Sequence, residues 1–342
     1  MKILVGMSGG FDSTYAAKKL IDEGHEVEGA VLIMHGYTEC EAARQAARSL
    51  GIPLREIDCR ERFSVIRENF VSEYSSCRTP NPCVICNAEV KLFALAEYAK
   101  EQGFDRIATG HYASIVSRAD GDCERLCIAA PRDAKKDQSY MLYRVSSEIL
   151  SILLLPLADE EKSQLRRDEE LSDMYAFDKG DSLDICFIPD GDYAKYIEER
   201  VGSFPEGDFI DSDGRVLGKH KGIIRYTVGQ RKGLGVAAQS RLYVSEINAE
   251  NNTVTLSPTP PAKSLVELSS VVTSGISPIS YERRLRATAR LRYHGKPVSV
   301  EAILRPDGTA TLLLDEPAFP VTPGQSAVVY DEDAVLFGGF IN

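Results

Sequence analysis

An apolar strand that runs straight into a glycine-hydroxyl turn and then into a helix leaves a chain few folds to choose from. The first residues do this in the order Ile3-Leu4-Val5-Gly6-Met7-Ser8-Gly9-Gly10-Phe11-Asp12-Ser13. Ser8, Gly9 and Gly10 let backbone N–H groups turn inward, and Ser13 opens a helix over 14–23 whose positive end faces the same point, so the turn reads as a phosphate cradle. No lysine follows the glycines, which excludes the Walker pattern, and the GxGxxG spacing of dinucleotide sites is absent too. The alternative is an ordinary glycine turn between a buried strand and a helix, and the rest of the chain decides between them.

At 342 residues the chain is longer than one hydrophobic core usually serves, so two or three domains are expected. There is no run of about eighteen apolar residues and no signal-like start, so the expectation is a soluble, cytoplasmic protein with no membrane partner. In that compartment the eight cysteines read as thiols or ligands and not as a disulfide framework. A net charge of −11 argues weakly against nucleic acid, but its distribution matters more. Arg215, Lys219, Lys221, Arg225, Arg231, Lys232 and Arg241 follow one another without an acid, and Arg283, Arg284, Arg286, Arg290, Arg292 and Lys296 are opposed only by Glu282. Two basic faces on an acidic protein suit a phosphate backbone.

Strand candidates at 2–6, 26–33, 54–58 and 106–109 alternate with helical patterns at 12–23, 40–50, 62–75 and 87–102. That rhythm predicts an α/β fold, a doubly wound parallel sheet with ligands at the carboxyl ends of its strands, where Ser8 and Gly110-His111 both fall. A more helical stretch is expected to continue to about Val201. Beyond Phe204-Pro205 short alternating strands are divided by hairpin candidates at Asp213-Gly214, Asn251-Asn252 and Asp307-Gly308, predicting two small β modules with a boundary near 258–262. The expected domains are 1–201, 202–261 and 262–342.

Thr79-Pro80-Asn81-Pro82-Cys83-Val84-Ile85-Cys86-Asn87 is the second constellation. Two prolines hold it extended and hand over to a helix expected near Asn87, which sets Cys86 at a helix N-terminus, a place that lowers a thiol's pKa. Cys86 is therefore a candidate for sulfur chemistry. Metal binding by Cys83 and Cys86 lacks a second pair or a suitable histidine spacing, so no metal ligands are assigned. In the third constellation, Ser182-Leu183-Asp184-Ile185-Cys186-Phe187-Ile188-Pro189, Cys186 would by itself be a core cysteine.

The Ser8–Ser13 turn resembles the PP-loop of ATP pyrophosphatases, which cleave ATP between its α and β phosphates to adenylate a substrate. Nearly the whole chain resembles the bacterial tRNA-specific 2-thiouridylases of the MnmA type. The resemblance rests on that loop, Thr79-Pro80-Asn81-Pro82 with Cys86-Asn87, Ala108-Thr109-Gly110-His111-Tyr112, Lys136-Asp137-Gln138-Ser139-Tyr140 and Asp184-Ile185-Cys186-Phe187-Ile188. It continues through Gly218-Lys219-His220-Lys221-Gly222, Tyr226-Thr227-Val228-Gly229-Gln230-Arg231-Lys232-Gly233, Arg292-Tyr293 and Pro323-Gly324-Gln325. It implies a PP-loop α/β domain of the adenine nucleotide α-hydrolase kind, a small central β domain and a C-terminal β-barrel.

It further implies sulfur transfer to C2 of the wobble uridine, position 34, of the tRNAs for Lys, Glu and Gln. ATP adenylates O2 and pyrophosphate leaves with Mg²⁺ screening its charge. Persulfide on Cys186 displaces AMP, and Cys86 is the partner thiol, through a Cys86–Cys186 disulfide or by freeing sulfide. A cysteine desulfurase or a relay protein would be the sulfur donor. By matching motifs, Gly6, Met7, Ser8, Gly9, Gly10, Phe11, Asp12, Ser13, Met34 and Gly110 should contact ATP. Asn81, Pro82, Cys83, His111, Lys136, Asp137, Gln138, Arg292, Tyr293 and Gln325 should meet tRNA, whose target base leaves its stack.

Two departures stand out. Cys83 occupies a position where many relatives carry an aspartate, and the stretch His35-Gly36-Tyr37-Thr38-Glu39-Cys40 is shorter than the family's loop and lacks its acidic run. An alternative is a thiolase in which Cys83, Cys86 and Cys186 hold a [4Fe–4S] cluster. Others are a small-molecule PP-loop ligase, which needs no cysteine, and an RNA-binding module with a vestigial nucleotide fold.

Overall fold

The computed structural model describes residues 1–38, 40–167, 175, 185–238 and 240–342. Strands β1 (Lys2–Gly6), β2 (Glu26–Ile33), β3 (Leu54–Asp58) and β4 (Arg106–Thr109) fall where the sequence places them. With β7 (Leu153–Leu154) they form a parallel sheet in the order β3-β2-β1-β4-β7. Both faces are covered: Ile3 and Val5 pack into one buried cluster and Leu4 into another, as the period of two along a strand requires. In register, Gly6 lies beside Thr109, so the turns leaving β1 and β4 are neighbours at the carboxyl edge.

Helices α1 (Phe11–Asp22), α2 (Cys40–Leu50) and α3 (Arg60–Ser75) connect the first strands. α1 begins earlier than expected, so Asp12 and Ser13 lie in its first turn. Instead of one helix from Asn87, α4 (Pro82–Cys86) passes through a π turn (Asn87–Lys91) into α5 (Leu92–Glu101). Asn81 accepts the Cys83 N–H as N-cap and Pro82 takes the first helical position, where its missing N–H costs nothing. The expected helical stretch up to Val201 is also corrected: β5 (Ser114–Asp120) and β6 (Cys123–Ala129) form an antiparallel hairpin. Short helices follow at Ser139–Leu142, Ser147–Ile152, Lys162–Leu165 and Tyr193–Val201. The Ser182, Leu183 and Asp184 of the third constellation lie outside the described residues.

The central module holds β8 (Gly207–Ile210), β9 (Val216–His220), β10 (Tyr243–Asn248) and β11 (Thr253–Ser257), ordered β10-β11-β8-β9. The last module holds β12 (Lys263–Thr273), β13 (Arg283–Arg290), β14 (Val298–Leu304), β15 (Ala310–Ala318), β16 (Ser326–Asp331) and β17 (Ala334–Ile341). These run β12-β15-β14-β13-β16-β17 and close into a barrel through β12–β17 pairing. All three expected hairpin turns are present, at β8–β9, β10–β11 and β14–β15. Ala129 of β6 pairs with Ala334 of β17, so a hairpin from the first part of the chain extends the barrel sheet.

Candidate active site

The turn after β1 is preformed. Ser8 N–H donates to Ser13 Oγ at 3.2 Å, Gly10 N–H to Ser8 Oγ at 3.3 Å, and Ser13 Oγ to the Gly10 carbonyl at 3.1 Å. Gly9 has φ +74°, and a Cβ there would lie 2.4 Å from the Ala42 carbonyl carbon of α2. The first N–H groups of α1 have no acceptor within the helix and point to the cradle with the helix dipole behind them. A Cβ on Gly110 would lie 2.7 Å from Ser13 N, so β4 leaves the sheet directly against this N-terminus. Asp12 is flanked by a cation that sequence reasoning missed: Lys162 Nζ lies 2.7 Å from Asp12 Oδ2, and Tyr112 OH donates to Asp12 Oδ1 at 3.2 Å. Lys162 is 150 residues from Asp12, and no local signal marks it.

The sulfur groups meet the same carboxyl edge of the sheet at Met34, the residue after β2. Cys86 is 3% exposed and its Sγ lies 3.9 Å from Met34 Sδ, so Met34, expected at ATP, touches the thiol as well. The expected activation of Cys86 at a helix N-terminus is corrected. Because the helix starts at Pro82, Cys86 sits a full turn inside it, and burial pushes its thiol up to about 12 against the pull of Lys91. Cys83, in the first turn, holds the N-terminal place instead. Cys186 is exposed on a turn anchored by its buried neighbours Phe187 and Ile188, with Phe187 set edge-on to Phe63 and Phe70 at 5.5 and 5.4 Å. The surrounding protein raises this thiol too, again opposed by Lys91. All eight cysteines are free thiols, and among the described residues no group of three or more His, Cys, Asp or Glu is placed to hold a metal.

Lys91 is a second cation at the site that no local signal in the sequence marks. Burial draws its ammonium down, but Cys86, Cys83 and Cys186 more than offset that and leave it above its ordinary range. Lys91 lies five positions after Cys86, a spacing that an α-helix scatters but the π turn, with Leu92 N–H bonded to the Asn87 carbonyl, brings round. His111, bonded through Nδ1 to Thr109 Oγ1 at 2.8 Å, is held down to about 3 by burial and then by Lys91, so it is neutral at physiological pH.

The residues expected at tRNA divide. Arg292 is exposed, and Lys136 stands on the loop before Gln138. Tyr293 packs on Tyr140 at 5.9 Å, and its hydroxyl is pushed up to about 12 by burial, Asp137 and Cys83, which brings the barrel to the sulfur site. Asp137 is committed elsewhere: its side chain is 3% exposed, accepts the Ser139 N–H at 2.8 Å and pairs with Arg290 of the barrel. Gln138 accepts the Tyr112 N–H at 2.9 Å and donates its own N–H to the Tyr112 carbonyl. Asn81 and Pro82 build the start of α4, and the Gln325 amide donates to the Thr79 carbonyl at 2.7 Å.

A parallel sheet with a phosphate cradle at its carboxyl edge, followed by a small β module and a closed barrel, defines a nucleotide-binding PP-loop enzyme that uses ATP. Family models described as the tRNA methyl transferase HUP domain, the tRNA methyl transferase PRC-barrel domain and the aminomethyltransferase beta-barrel domain match residues 1–190, 194–258 and 269–341. The tRNA-specific 2-thiouridylase MnmA of Acetivibrio thermocellus is 41% identical over 99% of both chains. The proteins of that name from Syntrophotalea carbinolica and Clostridioides difficile are 39% and 37% identical, each over 99% of this chain and 98% of its own length. The chain belongs to the tRNA-specific 2-thiouridylase MnmA family. No described helix is long and apolar enough to cross a membrane.

Proposed function

We propose that the chain is a tRNA-uridine 2-sulfurtransferase that adenylates O2 of the wobble uridine and replaces it with sulfur, in the tRNAs for Lys, Glu and Gln and in the cytoplasm. The observation that carries this reading is the junction of two chemistries: Gly110 lies against the cradle while the next residue, His111, is held neutral in part by the charge of Lys91, which also acts on Cys86 and Cys186. The family models carry methyl transfer in their descriptions, whereas the full-length relatives are named for thiolation; a thiol at the sheet edge that carries the cradle accords with the latter.

ATP would sit on residues 6–13 with Met34 and Gly110. Uridine O2 attacks the α-phosphorus, the O–P bond forms and the bond to the β-phosphate breaks. Asp12 is the carboxylate that would hold Mg²⁺ there, given up by Lys162 and Tyr112; the ion supplies charge screening to the leaving pyrophosphate. The terminal sulfur of a Cys186 persulfide, loaded by a cysteine desulfurase or a relay protein, attacks C2. The C2–O bond then breaks and AMP departs with the electron pair. Cys86 next attacks Cys186 Sγ, leaving sulfur on C2 and closing a disulfide that two electrons from a thiol reductant reopen. The [4Fe–4S] alternative is not favoured, since among the described residues no group of three or more His, Cys, Asp or Glu is placed to hold a metal. The three proposed domains are 1–201, 202–261 and 262–342.

Purified protein, ATP-Mg²⁺, sulfide and unmodified tRNA should give 2-thiouridine by mass spectrometry of the nucleosides, and none without ATP. Cys86→Ser and Cys186→Ser should each abolish the product from persulfide while tRNA still binds. Full product from both variants would sink the two-thiol mechanism.

A further inference from the structure

Thr79 precedes the helix that carries Cys83 and Cys86, and every polar group it owns is held by another module. Its N–H donates to the Pro323 carbonyl at 2.8 Å, and its carbonyl accepts the Gln325 amide at 2.7 Å, both from the barrel. Its hydroxyl lies 3.2 Å from Thr227 Oγ1 of the central module. The approach is close enough to dictate residue type: Gly324 has φ +88°, and a Cβ there would come within 2.8 Å of Thr79 N. The neighbouring Arg78 donates to the Ile341 carbonyl at 3.0 Å, and Thr322 of the barrel donates to the Val228 carbonyl at 3.2 Å, so the barrel and central module grip each other around the same point. Two residues on, Asn81 caps α4.

We propose that Gln325 and Thr79 are positioning residues: the barrel and central module set where α4 begins, and so where its thiols stand relative to the bound uridine. This rests on the sulfur-carrier reading of Cys86, and it gives Gln325 a different duty from direct contact with tRNA. The Asn81 cap fixes α4 only to its own first turn; the side-chain amide of Gln325, spent on the Thr79 carbonyl, ties that turn to the barrel, and Pro80 has no N–H with which the segment between them could pin itself. The rigidity of the grip matters because a misplacement of about 1 Å costs on the order of 100-fold in rate.

The test is single-turnover thiolation with saturating persulfide-loaded enzyme, beside filter binding of tRNA, for Gln325→Ala and, independently, Thr79→Val. The expected result is a fall in the thiolation rate of tenfold or more with less than twofold change in tRNA affinity. In the free enzyme, Cys83 should be alkylated by iodoacetamide at least threefold faster as the α4 start loosens. A tenfold loss of tRNA affinity with the saturated rate intact would overturn the proposal and make Gln325 a tRNA contact. Should Gln325→Ala fold poorly, Thr79→Val removes one hydroxyl and asks the same question. Failure of the sulfur reading looks different: Cys86→Ser would keep its product, while the Cys83 alkylation rates would still report on the grip.

Discussion

Cys86 and Lys91 form a couple in which burial withholds a proton and a neighbouring charge invites its loss. With its thiol pushed up to about 12, Cys86 is almost wholly protonated at pH 8. Iodoacetamide should therefore label exposed Cys186 well before Cys86, read by peptide mass spectrometry across a pH series. Lys91→Met should move the Cys186 alkylation profile to higher pH and slow labelling at pH 8 at least threefold, whereas Lys91→Arg should largely restore it; identical profiles would mean that Lys91 is inert. His111 gives a second test. Its folded value of about 3 lies below the ordinary 6.5, so the unfolded chain binds the extra proton between those values. The contribution is full above about pH 6.5 and is lost as pH falls towards 3. Urea midpoints should thus fall less steeply in that window for His111→Asn than for the native chain. The thiols themselves were legible from the sequence, because proline turns and cysteine spacing are local signals. Lys91 and Lys162 were not: one is brought round by a π turn that no periodicity announces, and the other arrives from far along the chain.

Strand β1, the cradle and α1 are readable almost to the residue because each is a local consequence of composition: an unbroken apolar run, then glycine, then hydroxyl. The start of α4 was misplaced because Pro82 looks like a breaker but serves as a first helical residue, satisfied by the Asn81 cap. The β5–β6 hairpin carries no local sign of a strand, since β5 buries no residue outright and β6 buries three in a row, so neither shows a period of two. The meeting of β4 with α1 supplies a sharp test. Gly110→Ala puts a Cβ 2.7 Å from backbone atoms of Asp12 and Ser13, neither of which can swing aside. ATP affinity should drop tenfold or more by equilibrium dialysis, with tRNA affinity kept within twofold. Unchanged ATP binding would remove this edge from the nucleotide site.

The two basic runs are less alike than their sequences. In the second, Arg283 pairs with the buried Asp120 and Arg290 with the buried Asp137, while Arg284 and Arg286 pair with Glu282 and Asp315 at the surface, so each of these four guanidiniums already has an acid of the protein beside it. In the first, Lys219 and Arg225 are paired, but Arg231 and Lys232 are exposed with no ion pair among the described residues. Reversing Arg231 and Lys232 should therefore weaken tRNA binding and flatten its salt dependence by roughly 0.7–0.9 in log–log slope per lost contact. Arg290→Glu should act on the fold instead: it strands Asp137 without its partner, at a cost of about 3–5 kcal/mol, seen as a lowered melting temperature. Charge counting saw two equivalent faces because sequence does not show which acids come to meet which bases. The β5–β6 hairpin has a consequence for any attempt to take the protein apart. Because Ala129 is sewn to Ala334, the barrel is not a bead hung from the linker after β11 but is fastened a second time, in mid-chain. A cut in that linker would sever a covalent thread and leave the cloth whole, with the two pieces expected to travel together. A truncation at the same place would bare β6, the edge of the hairpin that meets the barrel, and invite a neighbouring chain to fill it.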